Sequence, residues 1–260
     1  RRLKKQLKQE QRQTAKKNKS RRWLWLFPVL LLVAAVAVPF YQHQELTAPQ
    51  HLFDAAVKQE SLGEIASAQE LYQQLYQDYP DSEQAVQALL RSAKIWQYDR
   101  QQDQQALLDY LQLEHDYPDH PLVQTAQEAA AHIVKYSLRD YSRAISFYQR
   151  LLEQPSGGRD KYLYEIADCY FRLDNYSQAR IELETLLEQQ PESALLPDVL
   201  YRKGGLLLLE NRLSEARTDW QRLIELFPDS SYSAQARFNL AKLLEEEDHL
   251  QEALDLYQKL

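Results

Sequence analysis

Few residues here could break a helix or staple a fold. Five glycines in 260 residues leave no glycine-rich loop to cradle a phosphate, and neither a nucleophile elbow nor a His-Glu-x-x-His helix is present. We therefore expect no catalytic centre, cofactor or small-molecule substrate. The six histidines are scattered. Only His115 and His120, with Asp116 and Asp119 between them, stand close enough to suggest a metal, and they straddle a YPDHP turn where polar residues are expected anyway, so we expect no metal site. Cys169 is the single cysteine, which excludes an intramolecular disulfide. It sits in EIADCYF and reads as a small buried apolar side chain. Methionine is absent even from position 1, and the last sequence period stops at Leu260 short of its closing proline. We expect a processed chain or a part of a longer one.

Acids outnumber bases, for a formal charge of −7, but the charge is unevenly spread. Residues 1–22 hold eleven Lys or Arg against one acid, Glu10, a net of +10; the remaining 20 bases and 37 acids give the rest a net of −17. A basic tail on an acidic body is not the footprint of a nucleic-acid-binding domain, and no nucleic-acid partner is expected. The tail has only Leu3 and Leu7 at helical spacing, too thin a stripe for an independent membrane-surface helix. It reads as a topology signal. Residues 23–41, WLWLFPVLLLVAAVAVPFY, are nineteen positions without a charge. As a helix they span about 28 Å, close to the ~30 Å hydrocarbon core of a bilayer. Trp23 and Trp25 at one end and Phe40 and Tyr41 at the other suit the two interfaces. We expect a single transmembrane helix over 23–41, the basic tail in the cytoplasm, and the remainder outside a bacterial inner membrane. The competing reading is a cleaved signal peptide, for which Ala35-Val36-Ala37 has the right small-x-small form. The long basic region and long apolar run favour a retained anchor. No cysteine follows the run, so a lipid anchor is excluded. Residues 42–50 read as a polar linker.

What is abundant after residue 50 is repetition. An alanine, an aromatic four later, a leucine seven later and a proline about twelve later recur on successive helices. The copies are Ala68-Tyr72-Leu75-Pro80, Ala106-Tyr110-Leu113-Pro118, Ala144-Tyr148-Leu151-Pro155, Ala179-Leu183-Leu186-Pro191 and Ala216-Trp220-Leu223-Pro228, with a sixth begun at Ala253-Tyr257-Leu260. The alanines are 38, 38, 35, 37 and 37 residues apart. Offsets of four and seven share one helix face, and a period in this range signals an all-α solenoid of about six helix-turn-helix units over 51–260. Twelve residues upstream the first helix of each copy carries Ala56, Ala167, Gly204 or Ala241, with Ala93 and Ala131 one place out of register. Between the two helices Gly63, Asp174, Asn211 and Asp248 tolerate the left-handed backbone a tight turn needs. Copies two and three are less regular there. Pro155-Ser156-Gly157-Gly158 is the loosest joint, where we expect a bend.

This pairing of small residues resembles the tetratricopeptide repeat. The period is longer than the family's usual ~34, and leucine replaces the family's later alanine. The longer first helices are similar to those of bacterial envelope proteins such as the outer-membrane assembly lipoproteins and the Tol-Pal coordinator proteins. The topology resembles that of the ancillary translocon subunit with one anchor. The resemblance implies a groove lined by first helices. Carried over from the small residue of each copy, it assigns Tyr164, Asp168 and Phe171 in repeat four, Tyr201 and Leu208 in repeat five, and Phe238 and Lys242 in repeat six. It implies a partner-binding scaffold or adaptor for protein partners of an envelope or translocation complex, membrane-held through 23–41. Two alternatives stand beside it: the regulatory repeats of a longer envelope enzyme, and a cleaved soluble periplasmic protein. The basic clamp with which some members grip a terminal carboxylate is missing.

Overall fold

The computed structural model describes residues 47–154 and 157–260. The basic tail, the candidate transmembrane segment 23–41 and the start of the linker lie outside them, as do Pro155 and Ser156 of the loose joint. Among the described residues no helix is long and apolar enough to cross a membrane. The chain is helical in pairs: α1 (47–61) with α2 (Ile65–Asp78), α3 (Glu83–Lys94) with α4 (Asp103–Asp116), α5 (Leu122–His132) with α6 (Tyr141–Glu153), α7 (Arg159–Arg172) with α8 (Tyr176–Gln189), α9 (Leu196–Leu209) with α10 (Leu213–Leu226), and α11 (Ser231–Glu246) with α12 (Leu250–Tyr257). Residues 47–50, read from sequence as linker, are already helical.

Packing divides the chain into two compact units, with the border between Ala88 and Leu89 inside α3. In the first unit α1 and α2 form a hairpin closed by Gly63 at φ 78°. Ala56 and Ala68 are wholly buried, and the Tyr72 ring meets Phe53 with centroids 5.9 Å apart. The Tyr72 hydroxyl donates to Glu60 Oε2 at 2.6 Å. A small residue on each helix lets the backbones close up, and the aromatic fills the space beside them.

The second unit repeats this arrangement. Tyr110, Tyr148, Leu183 and Trp220 are buried, as are Leu113, Leu151, Leu186 and Leu223. Tyr257 is half-buried, and Leu260 is exposed, unlike its counterparts. Cys169 is buried, and that burial pushes its thiol up to about 12. Gly158, at φ 92°, starts α7 beside the Tyr162 ring.

The two irregular copies have a single cause. The backbone N–H of Arg100 donates to Ile95 O at 3.0 Å, and that of Leu138 to Ile133 O at 3.0 Å. Each bond spans five residues, so a widened turn at Ile95–Asp99 and at Ile133–Ser137 absorbs one extra residue at the end of the first helix. That insertion is why Ala93 and Ala131 fall one place out of step while remaining buried.

After each first helix one residue turns left-handed, five places before the second-helix alanine. These residues are Gly63, Gln101, Arg139, Asp174, Asn211 and Asp248. Asp140 and Asn175, which follow two of them, cap the next helix by accepting the N–H of Arg143 and Gln178. Gln101 and Arg139 are poorly suited to φ of 53° and 54°. A left-handed L-residue costs ~1–2 kcal/mol, partly offset on glycine replacement by the freer unfolded chain. Gln101→Gly and Arg139→Gly are therefore each expected to stabilise by roughly 0.5–1 kcal/mol in chemical denaturation. Gly63→Ala should do the reverse.

Candidate functional site

The first helices of the last three pairs set the candidate site. Counting from the small residue of each copy, α9 sends positions −3, −2, +1, +4 and +5 to a cavity of about 470 Å³, and α7 and α11 each send three of them. From α7 come Tyr164, Asp168 and Phe171; from α9, Tyr201, Arg202, Gly205, Leu208 and Leu209; from α11, Asn239, Lys242 and Glu246. Ala167, Leu183, Leu206, Trp220 and Leu243 add apolar surface deeper in, and Leu213 closes the α9–α10 corner. Volume and lining are those of a cleft able to hold a ligand side chain.

Six of the seven residues that the family resemblance assigned to the groove lie around this cavity. Phe238 does not. Its ring stands edge-on to Tyr257 at 6.0 Å, with Lys242 Nζ 5.9 Å from its centroid. The difference follows from the neighbour each −3 aromatic finds. The Tyr164 hydroxyl donates to Asp198 Oδ2 on α9, and the Tyr201 hydroxyl accepts from Asn239 Nδ2 on α11 at 3.3 Å. Both tyrosines therefore brace one first helix against the next. Among the described residues no first helix follows α11, so Phe238 turns to α12.

The rim is charged and largely matched. Arg202 sits 5.0 Å over the Tyr164 ring, donates to Asp198 Oδ1 at 3.0 Å, and reaches Asp168 Oδ1 at 3.3 Å. Asp168 Oδ2 also pairs with Lys135 Nζ at 2.7 Å, and the same Lys135 contacts Glu165 Oε2 at 2.5 Å. Burial alone would raise the Asp168 carboxyl, but Lys135, Arg172 and Arg202 together hold it below the usual carboxylate range. Lys242 and Glu246, by contrast, have no ion pair among the described residues.

Arg202, Gly205, Leu209, Asn239 and Glu246 were not read from the sequence. Arg202 and Asn239 are the −2 positions, Leu209 and Glu246 the +5 positions, and Gly205 is the +1 counterpart of Asp168 and Lys242. Each lies one helical step round from, or level with, a position already chosen, so periodicity contained the signal. Among the described residues, His115 and His120 included, no group of three or more His, Cys, Asp or Glu is placed to hold a metal ion. His120 Nδ1 instead accepts the N–H of Leu122 at 3.1 Å. The acidic run at 245–248 is exposed but engaged: Glu245 accepts from the Tyr257 hydroxyl, and Glu247 pairs with Arg217.

Family models described as tetratricopeptide repeat match residues 52–82, 136–196 and 201–260. No curated protein sequence matches the chain significantly. Among solved structures, the chain is similar to the C-terminal part of a repeat-containing protein from Cytophaga hutchinsonii, with TM-score 0.64, 15% identity, and 86% of this chain and 88% of that one covered. It is similar to YrrB, described as a TPR protein with an unusual peptide-binding site, with TM-score 0.51, 16% identity, and 72% and 89% covered. PilW, a type IV pilus biogenesis factor, gives TM-score 0.50, 14% identity, and 82% and 92% covered. At these identities the likeness concerns the fold.

Proposed function

This chain is a tetratricopeptide-repeat protein, and we propose that it works as a membrane-anchored scaffold that docks a protein segment in the cavity between α7, α9 and α11. One observation carries the docking role: three successive first helices leave an apolar hollow edged by exposed side chains, Phe171 and Leu209 among them. Apolar side chains at the centre of such a hollow supply most of a protein contact's energy, and rim charges steer it. The fold is one that binds protein partners, and a peptide-binding member is among its structural neighbours. The anchoring half of the proposal rests on the uncharged run 23–41 behind a tail of net +10. In this reading the repeats face the periplasm, and the partner belongs to an envelope or translocation complex.

Phe171→Ala with Leu209→Ala tests the docking role. Both side chains are exposed, so circular dichroism should stay unchanged while partners that copurify in detergent with the wild type are lost. Retention at wild-type levels would move the site elsewhere. For topology, alkaline phosphatase fused after Leu260 should be active, and a reporter that fluoresces only in the cytoplasm should stay dark. A bright reporter would overturn the orientation.

A further inference from the structure

The two adjacent glycines of α9 differ in what surrounds them. A Cβ on Gly204 would lie 2.4 Å from Trp220 Nε1, so packing alone accounts for that glycine. A Cβ on Gly205 would meet nothing within 4 Å. Gly205 has no left-handed φ to justify it, and glycine is among the least favourable residues inside a helix. Relative to alanine, folding therefore loses stability at this position although no neighbour excludes a side chain. What Gly205 does is line the cavity, at the +1 level where the neighbouring first helices place Asp168 and Lys242.

We infer that Gly205 is a specificity-determining residue of the docking site proposed above: its missing side chain is the opening through which one bulky apolar side chain of the partner enters. The buried Leu206, Leu183 and Trp220 line the same cavity and offer an apolar seat. At the same level Asp168 is already matched by Lys135 and Arg202, whereas Lys242 is without an ion pair among the described residues. Glu246, also unpaired among the described residues, lies one turn further along α11, so the unmatched charge at the level of the opening itself is the positive one of Lys242. The partner segment accordingly carries a Trp, Phe or Leu next to an Asp or Glu.

The test uses the full 260-residue chain in detergent and random dodecapeptides displayed on phage. Enriched peptides should share a large apolar residue beside an acidic one. Against a synthetic peptide of that consensus, Gly205→Leu should weaken binding by roughly tenfold or more, and Gly205→Ala less, while both raise Tm because a helix former replaces glycine. Lys242→Gln should weaken the acidic peptide but not its amide counterpart. The inference is overturned if no such consensus enriches, or if Gly205→Leu binds the consensus peptide as tightly as the wild type. If Phe171→Ala with Leu209→Ala weakens the peptide and Gly205→Leu does not, the docking site stands and the role of Gly205 falls. If neither does, both fall.

Discussion

Gly204→Ala is expected to cost about 2–3 kcal/mol despite placing a better helix former in a helix. The added methyl would sit 2.4 Å from Trp220 Nε1 and 2.8 Å from its Cδ1. Trp220 cannot yield, because it is fully buried and its Nε1 donates to Tyr201 O at 3.1 Å. The pair replaces the alanine and smaller side chain of other copies: Ala56 with Tyr72, or Ala167 with Leu183, sixteen residues apart in each case. The expectation thus includes a rescue. Trp220→Leu alone should cost ~3 kcal/mol or more by leaving a cavity. Combined with Gly204→Ala it recreates the Ala167–Leu183 pair, and the double variant should be more stable than the two losses added together. Strict additivity in thermal or urea melts would contradict this packing account.

The second large effect belongs to Lys135. It lies in the widened turn after α5, is only 2% exposed, and neutralises both Glu165 and Asp168 of α7. Truncating one partner of a buried ion pair strands the other charges, so Lys135→Met should cost about 3–5 kcal/mol. Adding Glu165→Gln and Asp168→Asn should recover much of the loss, because no stranded carboxylate remains. The pH dependence follows from Asp168. Its carboxyl titrates lower in the folded chain than the ordinary 3.8, so its contribution is present above that value and is lost as the pH falls through the lower folded one. Acid melts of Asp168→Asn should lack this component. Lys135 acts in the opposite direction: its amine is held above the ordinary 10.5, so its stabilisation persists below that value and fades only at more alkaline pH.

Much of this arrangement was legible because helical repeats write their packing at fixed offsets. The buried alanines and aromatics fell where the spacing put them, and so did four of the left-handed turns, where Gly63, Asp174, Asn211 and Asp248 advertise the conformation. Gln101 and Arg139 take the same conformation without advertising it, since neighbouring contacts can hold an ordinary side chain in a strained turn. The widened turns were visible only as a slipped register at Ala93 and Ala131. A hydrogen-bond shift of one residue has no residue signature of its own. For the cavity, the positions carried over from the family resemblance include six of its lining residues and miss the others. The −3 tyrosines double as braces, and which one finds a neighbour depends on the helix that follows. Gly205 escaped notice because a site was sought among side chains, and its contribution is the lack of one.

The most direct measurement of partner docking is site-specific photo-crosslinking in cells. A benzophenone amino acid at Leu209, on the cavity rim and 57% exposed, is compared with one at Leu226, outside the cavity lining and 56% exposed. Since exposure is matched, proximity to a partner is what differs. The expected result is a protein adduct of defined mass from position 209 and none from 226. Equal adducts at both positions, or an adduct at 226 alone, would contradict docking between α7, α9 and α11.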